Sequence, residues 1–131
     1  MKGEKIPLYG NGLNIRDWLY VEDHVDALIK ISNSNKIGEN FNIGGGKELT
    51  NLEIVNKICS IMDELVPKKY SHKKLISFVK DRLSHDFRYS VNIDKIKKEL
   101  NYKPKNNFND GLFKTVKWYV NNSNWLLNKI K

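Results

Sequence analysis

The sequence predicts a mixed α/β fold with few strands, on three observations. Short apolar or β-branched runs end in turn residues, such as Ile6-Pro7-Leu8-Tyr9 before Gly10-Asn11-Gly12 and Phe41-Asn42-Ile43 before Gly44-Gly45-Gly46. Longer segments between them carry apolar residues at helical spacing. The alternation is too sparse for a complete dinucleotide-binding domain, which needs about six or seven helix–strand repeats. It suits a substrate-binding portion of something larger. At 131 residues the chain has room for one domain with a real core.

The elements follow in order. Residues 6–9 form a strand closed by a glycine turn, and residues 15–20 a second extended segment carrying Trp18 and Tyr20. From about 22 to 32, Val25, Ala27, Leu28 and Ile31 follow helical spacing, with Glu22 and Asp23 at the end where the helix dipole favours anions. Residues 41–43 are a brief strand running into the glycine triplet, where backbone can turn or approach another group closely. Thr50 and Glu53 make a capping box for a helix that Pro67 stops, and Leu52, Val55, Cys59, Met62 and Val66 form its apolar stripe. Residues 75–79 are a strand that delivers the chain into segment 81–88. Asn92 caps a short helix to about Leu100. Asn109 or Asp110 starts the last clear helix, with Leu112, Val116, Tyr119 and Val120 on its apolar face, and Ser123 caps a stub around Trp125 and Leu126.

Composition narrows the function classes. The chain is 40% hydrophobic and 29% charged, the ordinary balance of a globular protein. No apolar stretch is long enough for a membrane span, and no apolar region follows the first five residues as a signal peptide requires. The single cysteine, Cys59, falls on an apolar helix face and is expected to be a core residue in a reducing, cytoplasmic compartment. A net charge of +8 suggests nucleic acid, but the distribution argues against it. Twenty of the 23 basic residues are lysines in runs no longer than two, which gives a solvated basic surface.

The three arginines carry more information. Arg16, Arg82 and Arg88 all lie in two short polar-aromatic segments, Arg16-Asp17-Trp18 and Asp81-Arg82-Leu83-Ser84-His85-Asp86-Phe87-Arg88. A guanidinium offers a planar fork suited to phosphate that lysine does not reproduce. The competing reading is structural ion pairing with Asp17, Asp81 or Asp86. Tyr9, Trp18, Tyr20 and Phe87 could stack on a ring, with two or three of them expected in the core instead. The amino end of the 50–66 helix, with Asn51 in its first turn, is expected to offer free N–H groups and a positive dipole end. Other chemistries lack support. No GxGxxG lies between strand and helix, His24, His72 and His85 share no metal-ligand spacing, and no nucleophile elbow is present. The residues by themselves lead to a binder of phosphorylated small molecules.

Several segments in series resemble the second half of extended short-chain dehydrogenases acting on nucleotide sugars, the NAD-dependent epimerase/dehydratase family. These are Pro7-Leu8-Tyr9-Gly10-Asn11-Gly12, then Arg16-Asp17-Trp18-Leu19-Tyr20-Val21-Glu22-Asp23-His24, Phe41-Asn42-Ile43-Gly44-Gly45, Thr50-Asn51-Leu52-Glu53 and Asp81-Arg82-Leu83-Ser84-His85-Asp86-Phe87-Arg88-Tyr89. Tyr102-Lys103-Pro104, Gly111 and Trp118-Tyr119 complete the series. The Arg-Asp-Trp-Leu-Tyr-Val-Glu-Asp-His form looks most like dTDP-glucose 4,6-dehydratases, and related epimerases and decarboxylases share the Asp-Arg loop and the Asn-Ile-Gly-Gly strand. The resemblance implies the C-terminal, nucleotide-sugar-binding portion of that fold over residues 1–131, with the Rossmann core absent.

By position, the resemblance implies that Pro7, Leu8 and Tyr9 touch base and ribose, and that Arg16 and Asn51 contact diphosphate and nucleotide. It makes Asp81, Arg82, Leu83, Ser84 and His85 the loop closing over the nucleotide. Leu83-Ser84 stands where the family usually has Pro-Gly. The family's NAD loop, Tyr-x-x-x-Lys pair and acid/base set lie upstream of the position of Pro7, and none is in this sequence. No catalytic, cofactor-binding or metal-binding residue is therefore expected here, and NAD would belong to the intact family enzyme. The implied partners are a dTDP-sugar or related nucleotide sugar, and an N-terminal Rossmann half or a second copy covering the helix at 22–32 and residues 41–43. Neither nucleic acid nor membrane is expected. A split or truncated dehydratase inactive by itself even with added NAD, a stand-alone nucleotide-sugar binding module, and a nucleic-acid or interaction protein built on a decayed enzyme are the competing functions.

Overall fold

The computed structural model describes residues 3–125, so Leu126 of the expected terminal stub lies outside the described residues. The mixed α/β expectation holds. Among the described residues, five short strands fall into two small sheets. Strand β1 (Ile6–Tyr9) pairs in parallel with β4 (Ile76–Val79), Ile6 opposite Ile76. In the second sheet β2 (Ile15–Asp17) is central, antiparallel to β3 (Glu48–Thr50) and parallel to β5 (Arg88–Tyr89). These two sheets bring the arginine-bearing segments together. Parallel pairing of β1 with β4 sets the 81–88 loop beside the Gly10 turn, and β5 lies against Arg16.

Among the described residues, four α-helices of about two turns or more pack around the sheets. Helix α1 (Val21–Ser32) buries Asp23 and Ala27, and α2 (Asn51–Leu65) buries Ile54 and Cys59. Helix α3 (Asp94–Leu100) buries Ile96, and α4 (Phe108–Asn121) buries Gly111 and Val116. The core is Ala27, Ile93, Ile96 and Tyr102, with Ile31, Phe41, Ile43 and Leu100 packed onto it. No helix among the described residues is long and apolar enough to cross a membrane.

Local chemistry explains the helix ends. The Thr50 hydroxyl accepts the Glu53 N–H and the Glu53 carboxylate accepts the Thr50 N–H, the capping box expected for α2. Cys59 is buried in α2 as expected, and burial pushes its thiol up from the ordinary value.

Four sequence expectations need correction. Residues 41–43 pair with no strand among the described residues; Phe41 and Ile43 pack on the core cluster of Ala27, Ile93, Ile96 and Tyr102 while the backbone has no neighbouring edge to join. Helix α4 starts earlier than Asn109, because the Asn107 side chain accepts the Asp110 N–H and so takes the capping position. Ile54, absent from the expected stripe of α2, is its most buried aliphatic side chain, whereas Leu52, Val55, Met62 and Val66 are half-buried. On α4, Gly111 and Val116 are buried while Tyr119 is exposed.

Candidate functional site

At the ends of β1, β2 and β4, two arginines meet one histidine. Arg16 Nη2 donates to His85 Nε2 at 3.1 Å, and Arg82 Nη2 donates to the same atom at 2.8 Å. Guanidinium has donors only, so His85 Nε2 accepts and its proton sits on Nδ1, which donates to Asp81 Oδ1 at 2.7 Å. That bond, with help from the Arg82 N–H, holds the Asp81 carboxyl below its ordinary value. Arg82 also lies over the Tyr9 ring at 5.2 Å, and Arg16 over the Tyr89 ring at 4.7 Å. A fork that now shares an imidazole nitrogen would find in an anionic oxygen a stronger acceptor.

The two arginines are held differently. Arg16 Nη1 donates to the carbonyls of Ile15 at 2.6 Å and Phe87 at 3.4 Å, and Nη2 also donates to the Asp86 carbonyl at 3.0 Å. Arg16 thus pins the 85–89 segment to β2. Arg82 has only His85 as a hydrogen-bond acceptor among the described residues and is exposed. It is the freer fork.

The other expected site residues fall on one side of this cluster or away from it. Pro7 and Tyr9 are exposed on β1, whereas Leu8 is buried and lies where a Cβ on Gly12 would meet its Cδ2 at 2.7 Å. Leu83 is 94% exposed at the loop tip, and Ser84 takes a left-handed backbone, φ 55°. Asn51 makes no hydrogen bond to the cluster among the described residues; it follows Thr50, which pairs with Ile15. The expected free N–H groups at the amino end of α2 are not free. The Asn51 N–H donates to the Asn14 carbonyl, the Leu52 N–H to the Gly12 carbonyl and the Glu53 N–H to the Thr50 hydroxyl. Of the aromatics, Tyr9 and Phe87 are exposed, and Trp18 is half-buried with its indole N–H donated to the Leu49 carbonyl.

Several contributors went unread. Arg88 pairs with Glu48 across the sheet, not with an aspartate: Nε and Nη2 each donate to its carboxylate at 2.7 Å. That fork, with the Ser90 hydroxyl, lowers the Glu48 carboxyl to about 2. Buried Asn14 donates to the Asp86 carbonyl, and the Tyr89 hydroxyl donates to the Asp86 carboxylate. Asp17 accepts the Gly45 and Lys47 N–H groups, both at 3.0 Å. Glycine is required there, since a Cβ on Gly45 would sit 2.1 Å from the Trp18 carbonyl oxygen. Apart from the local Tyr89–Asp86 contact, no sequence signal marks these pairings, because each joins distant segments.

The triplet does not fit a dinucleotide pyrophosphate. Gly45 spends its N–H on Asp17, and the Asp17 carboxylate stands where a Cβ on Gly44 would be, 2.3 Å away.

A family model described as GDP-mannose 4,6 dehydratase matches residues 1–115. The chain is 48% identical over 128 residues to dTDP-glucose 4,6-dehydratase of Shigella flexneri, and 45% identical over 128 residues to dTDP-glucose 4,6-dehydratase 1 of Escherichia coli (strain K12). Each match takes in 98% of this chain and 36% of the relative, so the chain spans about a third of their length. Among solved structures, dTDP-glucose 4,6-dehydratase from Bacillus anthracis in complex with NAD superimposes with a TM-score of 0.83 at 43% identity. That match covers 95% of this chain and 37% of the other. A dTDP-glucose 4,6-dehydratase from Streptomyces venezuelae, also with NAD, gives 0.84 at 37% identity, covering 94% and 36%.

Proposed function

Because the chain belongs to the GDP-mannose 4,6 dehydratase family, whose model spans residues 1–115, we propose that it is the nucleotide-sugar-binding portion of a dTDP-glucose 4,6-dehydratase, not competent for the reaction by itself. The observation that carries this reading is the convergence of Arg16 and Arg82 on His85 Nε2 beneath Tyr9. Two forks aimed at one point suit the oxygens of a diphosphate, and an exposed tyrosine at their side suits a base or ribose. Arg82 meets the phosphate with its free donors, while Arg16 holds the 85–89 segment in place and contributes its own edge. Asp81 orients His85, Leu83 and Ser84 close over the nucleotide, and Pro7, Leu8 and Asn51 complete its surroundings. NAD in the intact enzyme is held by the part of the fold outside this chain.

Calorimetric titration with dTDP tests this. The chain is expected to bind dTDP weakly and dTDP-glucose little better, because the sugar-reading residues lie elsewhere in the fold. Arg16→Lys should lose roughly 1.5–3 kcal/mol, since an ammonium keeps the charge but cannot serve the carbonyls and the phosphate together. Lys69→Ala should change nothing. Equal affinity of the wild type and Arg16→Lys, or tighter binding of random DNA than of dTDP, would overturn the proposal.

A further inference from the structure

The imidazole of His85 stands at the centre of the arginine cluster with its side chain only 6% exposed. Its Nε2 accepts from Arg16 at 3.1 Å and from Arg82 at 2.8 Å, while Nδ1–H donates to Asp81 at 2.7 Å. An imidazole nitrogen that accepts carries no proton, so the ring is neutral in this arrangement. Two guanidiniums thus spend donors on an uncharged nitrogen.

Exchanging that acceptor for a phosphate oxygen changes the position of His85. The oxygen is charged and draws both forks more strongly than a neutral ring does. Nε2 is then left buried without a donor, its lone pair facing an anion. One proton on Nε2 converts that opposition into a charge-assisted hydrogen bond.

The surrounding charges favour the same change. Arg16 reaches the ring from β2, and Asp81 and Arg82 reach it from its own loop. Tyr89 of β5 and Tyr9 of β1 lie against the two guanidiniums, and Asp86 accepts the Tyr89 hydroxyl. Arg88 is paired with Glu48 and adds no net charge. Arg16 and Arg82 are therefore balanced by Asp81 and Asp86 before any ligand arrives. A sugar diphosphate brings two negative charges, and a proton on His85 offsets one of them. Asp81 stays anionic in both states, since its hydrogen bonds hold its carboxyl below the ordinary value.

We infer that binding of a nucleoside diphosphate sugar protonates His85, which changes from the acceptor of two arginines into a third donor to the diphosphate. Solvent supplies the proton: an Nε2–H bond forms as a buffer acid gives its proton up, and both guanidiniums keep theirs. The inference rests on the nucleotide reading of this site and adds that the site is regulated by pH. Binding is tightest on the acid side, where the proton costs nothing extra to take up, and weakens as pH rises.

The test is calorimetric titration of the chain with dTDP-glucose in two buffers of different ionisation enthalpy. The ligand matters, because the terminal phosphate of dTDP is a monoester that titrates at about 6 by itself, whereas both phosphates of the sugar diphosphate are diesters. The heat should differ between buffers by an amount corresponding to up to about one proton taken up per chain. Affinity should fall as pH rises from about 6.5 to about 8.5, by up to about tenfold per unit, the limit for one linked proton. His85→Gln keeps a side-chain donor but has no titrating nitrogen, so its affinity should be flat over that range and its heat independent of buffer.

Nitrogen–proton NMR of the wild type reads the same change without a substitution. The ligand-free ring should be protonated on Nδ1 alone, and the saturated one on both nitrogens. Equal heats in the two buffers, a pH dependence that survives in His85→Gln, or a saturated ring still protonated on Nδ1 alone would each overturn the inference while leaving nucleotide binding in place. Absence of dTDP-glucose binding at every pH would instead overturn the nucleotide reading, and this inference with it.

Discussion

Ser84 shows how one residue can depart from a family pattern while keeping its backbone. The family usually has glycine there, and Ser84 still adopts φ 55°, the left-handed region glycine occupies freely. An L residue in that region costs roughly 1–2 kcal/mol, while glycine would return about 0.4–1 kcal/mol of that through a looser unfolded chain. Ser84→Gly is therefore expected to stabilise the chain by about 0.5–1 kcal/mol, read as a higher urea midpoint with unchanged slope. A midpoint at or below that of the wild type would show that the hydroxyl contributes something that offsets the strain. Beside it, His85 needs no substitution to show its tautomer: two donors converge on Nε2, so the proton is on Nδ1 and points at Asp81.

At the scale of elements, α2 connects the cap to the site. Its first residue follows β3 directly, and β3 pairs with the strand that carries Arg16. The capping box therefore holds both the helix end and one edge of the sheet. Thr50→Ala should cost about 1 kcal/mol, measured by thermal or denaturant unfolding, because it removes the acceptor of the Glu53 N–H and one donor to the Glu53 carboxylate. The loss should be partly restored by Thr50→Ser and not by Thr50→Val. Equal stability of the alanine and serine variants would mean that β3 pairing, and not the cap, sets this end.

At the scale of the molecule, Asp63 fastens the middle of the chain. Near the end of α2, it accepts the His72 backbone N–H at 2.7 Å, His72 Nδ1–H at 2.6 Å and the Ser71 hydroxyl at 2.6 Å. The turn it holds, His72–Leu75, leads straight into β4 and so sets where the 81–88 loop begins. These donors lower the Asp63 carboxyl from 3.8 to about 2, the backbone bond contributing most. A lowered carboxyl stabilises the fold above its unfolded value and loses that contribution as pH falls through its folded value. Stability should accordingly be intact above pH of about 4 and fall between about 4 and 2. Asp63→Asn should melt lower at neutral pH yet lose less over that acid interval, as followed by circular dichroism. An unchanged acid slope would assign the sensitivity to Glu48, whose carboxyl is also lowered to about 2 by Arg88.

The turn at Gly10-Asn11-Gly12, the Thr50–Glu53 capping box, the stop at Pro67 and the clustering of arginines in two short segments were all legible in the order of residues. Each depends on hydrogen bonds or φ values settled within a few positions, so the local sequence suffices. The site was legible in outline for the same reason: guanidinium, imidazole and carboxylate are chemically distinctive wherever the chain carries them. Tertiary structure alone decided which of them meet. Parallel pairing of residues 6–9 with 76–79 places Arg82 beside Tyr9 and Arg16. The carbonyls of Asn14 and Gly12 fill the helix end that looked open. Arg88 turns to Glu48, 40 residues away, in place of a nearby aspartate. Residues 41–43 have the composition of a strand and no edge to join, because a strand is completed by a neighbour that its own sequence does not contain.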